Sequence, residues 1–120
     1  MAAYIKIDAL PGEAPQLQVV APVGDLQKGQ VVKVGNILYA AYAYGKAGEI
    51  VTAHVQADRA NGSKSNPAEV FAQFDTLYWA GDGSGLTKVV SGNTKCGMAL
   101  EASAANDTEV RLYFNGLLGV

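Results

Sequence analysis

Three glycines at alternating positions, Gly81, Gly83 and Gly85, mark a stretch whose residue types are also found in phosphate and calcium sites. A phosphate-binding glycine loop directs its backbone N–H groups to the start of a following helix, and a Lys-Ser or Lys-Thr pair closes it. Here the β-branched run "LTKVV" comes next, and no such pair closes the loop. A calcium loop needs several acids at alternate positions, but only Asp82 lies within "GDGSG". The stretch therefore predicts a hairpin over residues 76 to 90, in which the glycines form the reversal.

Nucleophilic catalysis by a Ser-His-Asp or Cys-His arrangement would have to use His54, the only histidine. A serine or cysteine nucleophile needs a base beside it, and no Gly-x-Ser-x-Gly elbow surrounds any serine here. In "VTAHVQA" the apolar residues alternate with Thr52, His54 and Gln56, which predicts that His54 lies on the solvent face of a half-buried strand. Cys96 is interpreted as a small buried or half-buried strand residue. We predict that the protein is not an enzyme and has no metal or other cofactor.

A third chemical possibility is a carbohydrate-binding surface, because aromatic rings stack on the faces of sugars. The candidates are five aromatic residues in two segments of the chain: Tyr39, Tyr42, Tyr44, Tyr78 and Trp79. The same residue types also fill cores and are enriched at protein interfaces. We favour the core and interface interpretation, with Trp79 partly or wholly buried, and keep a carbohydrate-binding or receptor-facing β-sandwich module as the alternative.

The elements that must position these residues are mostly strands. Fourteen glycines punctuate short apolar runs rich in Val, Thr and Tyr, which is the spacing of strands and turns in an all-β domain. "VRLYFN" alternates apolar and polar residues, a strong strand pattern. "NPAEVFAQF" has an N-cap and first-turn pattern that allows one short helix. The sequence predicts an all-β fold, a small β-sandwich or barrel (jelly-roll-like) of about eight strands.

The composition of the chain excludes several classes of protein. The 120 residues suit a single domain, and a formal net charge of −2 gives no basic surface for nucleic acid or an anionic membrane. No apolar run approaches the roughly 20 residues that span a bilayer, and the N-terminus lacks the pattern of a secretory signal. A single cysteine excludes an internal disulfide and suits a reducing compartment.

Both termini depart from the pattern of the body. "YIKID" alternates like a strand, but "ALPGEAP" separates it from the body of the chain, so residues 1–16 are predicted to form an arm and connector that add to a neighbouring subunit's sheet. Residues 17–120 are predicted to form a single β domain. The apolar residues at the C-terminal end leave the alternating pattern and would form an exposed apolar patch unless another surface covers them. The predicted contact residues at the two termini are Tyr4, Ile5, Ile7, Leu117, Leu118 and Val120.

The order of these motifs resembles the capsid decoration (cement) proteins of tailed bacteriophages. The resemblance rests on "GQVVKVG", the Gly48-Glu49 pair, "DTLYW", "LT", "GMALEA" and "VRLYFNG", which together cover residues 21 to 116. One departure is Phe74, since the family usually has a glycine just before the acid of the Tyr-Trp element. A second is Val23-Gly24-Asp25, where the family often has a double glycine.

The resemblance implies a structural virion protein that binds the outer surface of an icosahedral capsid and clamps neighbouring major capsid subunits. The implied partners are the major capsid protein and other copies of this chain, as a dimer or trimer, without nucleic acid or membrane. The implied location is the outer capsid surface of a virion assembled in the host cytoplasm.

Overall fold

The computed structural model of the protein describes residues 3–7, 16–21 and 24–119. The strands are β1 Ile5–Ile7, β2 Gln16–Val20, β3 Val31–Val34, β4 Ile37–Ala41, β5 Ile50–His54, β6 Gln56–Ser63, β7 Thr76–Trp79, β8 Leu86–Thr87, β9 Thr94–Ala99 and β10 Glu109–Asn115. These described residues contain no helix, and therefore none that could cross a membrane. The "NPAEVFAQF" segment forms turns, in which Asn66 Oδ1 accepts the N–H of Ala68 and Phe71 bridges to Ser103.

Six strands form a sheet in the order β1-β6-β10-β9-β7-β8, with antiparallel neighbours. The sheet curls until β8 reaches the segment that comes after β6, where Lys64 and Leu86 form a parallel bridge and Ser65 N–H donates to Leu86 O at 2.9 Å. Five of its strands therefore close into a ring. Closure removes free edges, which in a small β protein would otherwise be open to pairing with other chains.

The remaining strands form a four-stranded antiparallel sheet in the order β2-β5-β4-β3. Alternation along β4 divides its side chains between two hydrophobic clusters. Leu38 and Ala40 join the larger cluster with the curled sheet, while Tyr39 and Ala41 join a smaller cluster on the opposite face. Both faces are consequently covered along most of β4 and the adjoining end of β5. The all-β prediction of a small sandwich or barrel is confirmed.

The N-terminal strand β1 is part of this architecture. It pairs with β6 through Ile5–Gly62, Lys6–Asn61 and Ile7–Ala60, and Ile5 N–H donates to Gly29 O at 2.8 Å. Ile5 is 0% exposed and belongs to the larger cluster. The structure thus differs from the expected detached arm, because burying an isoleucine in the same chain's core stabilises the strand without a partner. The connector at residues 8–15 lies outside the described residues, and the boundary at residue 16 stays a prediction.

Candidate functional site

The glycine-rich stretch is a reversal between two strands. Trp79 pairs with Leu86 and Tyr78 with Thr87, so the predicted hairpin is confirmed. Ala80 N–H donates to Gly85 O at 2.8 Å, and a Cβ on Gly85 would lie 2.7 Å from Ser63 O. This close approach explains why glycine is needed where the loop crosses the end of β6.

An open groove of about 490 Å³ lies beside the reversal and is lined by Ser65, Ala80, Gly81, Asp82, Ser84, Thr87, Val89, Gly92 and Asn93. Its polar groups bond to one another: Ser65 Oγ and Ser84 Oγ are 2.6 Å apart, and Gly81 N–H donates to Asn93 Oδ1 at 2.9 Å. Asp82 accepts the N–H of Ser84, and hydrogen bonds from the Ser84 side chain and backbone lower the pKa of the Asp82 carboxyl. These contacts organise the loop itself. Within the described part of the chain, no three His, Cys, Asp or Glu residues are grouped to hold a metal ion.

The placement predicted for His54 is wrong. The residue pairs with Ala40 across β4 and β5, and its side chain is buried rather than solvated. Because directly paired residues point to the same face, His54 faces the side on which Ala40 packs against the curled sheet. The ring of Tyr42 covers it edge-on, with centroids 5.2 Å apart. The alternating pattern was misread because both faces are covered in the part of the sheet that contains His54.

Cys96 is buried in β9, which confirms the sequence interpretation. Burial raises the pKa of the Cys96 thiol to about 12. Thiolate is the nucleophilic form of cysteine, so this side chain acts as a small apolar core residue.

The predicted aromatic residues do not form one surface. Trp79 and Tyr39 are buried, as the core interpretation requires. Burial raises the pKa of the Tyr39 hydroxyl. Tyr44 is exposed, and its hydroxyl donates to Asp25 Oδ2 at 2.9 Å. Burial of two of the five rings removes them from any sugar-stacking platform.

The predicted contact residues at the termini have different environments. Leu117 and Leu118 are exposed, Tyr4 and Ile7 are half-buried, Ile5 is buried, and Val120 lies outside the described residues. Tyr4 donates its hydroxyl hydrogen bond to Glu109 Oε2. Burial, together with the bond to Glu109 and its charge, raises the pKa of Tyr4 to about 12. Ile5 is therefore corrected from a contact residue to a core residue, since no part of its side chain reaches solvent.

A first group of exposed apolar residues, which we call the hairpin-end patch, consists of Val34, Ile37, Leu117 and Leu118. Val34 and Ile37 are paired at the β3–β4 turn. The C-terminal turn lies against that hairpin, because Leu38 N–H donates to Gly116 O at 2.9 Å. Two segments that are distant in sequence thus bring their apolar side chains to one end of the molecule.

A second group, the Phe74-end patch, consists of Val70 and Phe74. Phe74 N–H donates to Ala99 O at 2.8 Å, which places it at the C-terminal end of β9. Thr94, at the other end of β9, lies beside Gly119 of the C-terminal turn. Sequence reasoning did not predict Phe74 as a surface residue. The signal that could have found it is its departure from the family's usual glycine.

The fold and these surfaces define a small all-β protein whose described residues expose apolar side chains at two ends. The family model described as "Phage cement protein" matches residues 11–114. No curated protein and no solved structure matches the chain. The chain belongs to the phage cement protein family, and its role is that of a structural protein associated with the phage capsid.

Proposed function

We propose that the protein binds the outer surface of an icosahedral phage capsid and stabilises it by clamping neighbouring major capsid subunits. The observation that carries this proposal is the presence of exposed apolar side chains at opposite ends of one compact body. Isolated exposed apolar residues are ordinary on protein surfaces. Clusters of them on a protein that works attached to a shell are suited to contact with that shell.

The separation of the two ends supports contact with more than one subunit. β9 joins the two ends, and its six residues span roughly 17 Å at the rise of a β-strand. The closed ring of strands makes this body stiff, because each of its strands is held on both sides. A stiff body with contacts at both ends resists separation of the subunits that it touches.

Stabilisation then results from linkage. A protein that binds the assembled shell better than its dissociated subunits shifts the equilibrium toward the shell, in proportion to occupancy and affinity. We propose that the hairpin-end patch, through Leu117 and Leu118, contacts either a capsid subunit or another copy of this chain in a dimer or trimer. Tyr4 and Ile7 are half-buried and lie at the edge of the curled sheet, where they add to the proposed contact surface. Attachment would occur during assembly in the host cytoplasm.

The test adds purified protein to undecorated shells assembled from the cognate major capsid protein and monitors the thermal transition of the shells. We expect saturable binding in a simple ratio to the major capsid protein and an upward shift of the transition. A variant carrying Leu117→Asp and Leu118→Asp should reduce binding and the shift together. The matched control carries Val20→Asp and Ile50→Asp, which alter a pair of exposed apolar residues elsewhere.

The two variants separate the possible outcomes. Absence of binding by the unaltered protein would overturn the proposed function. Equal losses in both double variants would overturn the assignment of the hairpin-end patch. A change in oligomeric state of the Leu117→Asp and Leu118→Asp variant, measured by sedimentation equilibrium without shells, would assign the patch to self-association.

A further inference from the structure

The backbone of Phe74 adopts a conformation that suits glycine. Its φ is +74°, within the left-handed region in which a Cβ crowds the following carbonyl oxygen. Within the described ranges, every other positive φ belongs to a glycine, except that of Asn106. Asparagine tolerates this region, whereas a bulky side chain is an outlier there. The residue type at position 74 is thus opposed by its own backbone.

Burial in the free protein does not explain this choice. The side chain of Phe74 is 64% exposed, whereas Phe71 and Phe114 are 0% exposed. A phenylalanine contributes most to stability when its ring leaves water. The ring of Phe74 therefore leaves most of its potential contribution unused in the isolated chain.

The turn that carries Phe74 is held firmly. Phe74 N–H donates to Ala99 O, Ala99 N–H donates to Asp75 O at 2.9 Å, and Ala72 N–H donates to Asp75 Oδ2 at 2.8 Å. Residues held in unfavourable backbone regions cluster at functional sites, where the surrounding structure enforces them. A backbone that is already held in place also loses little conformational freedom on binding, which favours affinity.

The residues near Phe74 resemble those around an aromatic anchor at a protein–protein interface. Val70, four residues earlier in the chain, is also exposed, and Lys88 Nζ lies 3.7 Å from Asp75 Oδ2. Aromatic side chains are enriched at protein interfaces, and a binding hot spot is a side chain ringed by contacts that exclude water. The surface that it fits is an apolar pocket with polar edges on another protein.

The small size of this contact indicates the capsid rather than a second copy. One aromatic side chain buries about 150–250 Å², while a stable complex buries about 800 Å² on each partner. A patch of this size does not hold a dimer by itself. On a lattice it acts together with the contacts at the opposite end, so that both engage the shell at once.

We propose that Phe74 is an aromatic anchor that inserts into an apolar pocket on the major capsid protein, presented by a left-handed turn that the fold enforces. This inference rests on the proposed capsid-binding function. It assigns a specific side chain to the Phe74 end and explains why a residue with an unfavourable backbone conformation stands there.

The test measures binding of Phe74→Ala and Phe74→Gly to undecorated shells of the cognate major capsid protein, by co-sedimentation over a range of concentrations. We expect both variants to weaken the apparent Kd by about tenfold or more. The control Ile50→Ala removes an equally exposed apolar side chain and should leave the Kd within about twofold of the unaltered protein. Thermal melting of the free variants checks that weaker binding does not come from unfolding, since Phe74→Gly removes the backbone conflict.

Each outcome is decisive. Unaltered shell binding by both Phe74 variants would overturn the anchor while leaving the proposed function in place. Failure of the unaltered protein to bind shells would overturn the proposed function. A shift of the Phe74 variants to a smaller oligomer in sedimentation equilibrium would assign the ring to a second copy of this chain and overturn the capsid contact.

Discussion

The hairpin end and the Phe74 end both expose apolar side chains, but they differ in whether the residue types suit the local backbone conformation. At the hairpin end, a positive φ falls on Gly35, and the close approach to Leu38 falls on Gly116, whose Cβ would lie 1.8 Å from Leu38 O. At the other end, a positive φ falls on Phe74. The hairpin end therefore has the residues that its backbone requires, while the Phe74 end has a residue that its backbone disfavours.

This difference separates two reasons for finding a residue at a position. A glycine at a position that only glycine can occupy is there because the fold requires it. A residue type that its own backbone conformation disfavours indicates a requirement outside the folded chain, such as binding. Natural sequences otherwise keep local preference and tertiary structure consistent. Substitutions at the two ends should consequently divide between stability and binding.

The largest effect on stability is expected at Trp79, a core residue that belongs to neither end. Trp79→Ala should lower the free energy of unfolding by about 3–5 kcal/mol, because it leaves a cavity in the larger cluster. Chemical denaturation of the free protein measures this loss. A denaturation midpoint close to that of the unaltered protein would contradict the core placement.

Gly116→Ala should come next, with a loss of about 3 kcal/mol, because the new methyl group forces the C-terminal turn away from β4. The hydrogen bond from Leu38 N–H to Gly116 O would be lost with it. Hydrogen exchange at the Leu38 amide should accelerate in this variant. Unchanged exchange would show that the turn relaxes without leaving the hairpin.

Ile5→Val provides a variant that lowers stability without touching either end. Removing one buried methylene should cost about 1 kcal/mol, since the side chain is fully buried. We expect the melting temperature to fall while shell binding below that temperature is unchanged. Weaker shell binding would restore a contact role for Ile5 itself.

At position 74 the usual order of stability, in which an alanine variant is more stable than a glycine variant, should reverse. Phe74→Gly should be more stable than Phe74→Ala by about 0.5–1 kcal/mol, because the relief of the left-handed conformation exceeds the extra freedom of glycine in the unfolded chain. Paired denaturation curves of the two variants measure this difference. Greater stability of the alanine variant would show that the turn carries no backbone conflict.

The smallest effect is expected for the ion pair beside Phe74. Lys88→Ala should change the free energy of unfolding by about 0.5 kcal/mol or less, since exposed ion pairs are screened by solvent. A salt titration of the unaltered protein and the variant should give nearly parallel denaturation midpoints. A large salt-dependent gap between them would indicate that the pair fixes the turn.

Local pattern was sufficient for the fold class, the hairpin around "GDGSG", the burial of Trp79 and the interpretation of Cys96. Each of these depends on residues close together in sequence: alternation, glycine spacing and a β-branched run. The order of the motifs also indicated the family that the match to residues 11–114 shows. The sequence alone predicts these features because their physical causes act over a few residues.

Tertiary structure alone decided the rest. His54 is buried because its part of the sheet is covered on both faces, and an alternating pattern does not reveal whether its polar side is covered. Ile5 is a core residue because β1 pairs with β6, more than fifty residues away. Phe74 is exposed at a positive φ because its turn is tied to the end of β9. All three depend on pairing between distant segments, which side-chain order within each segment does not specify.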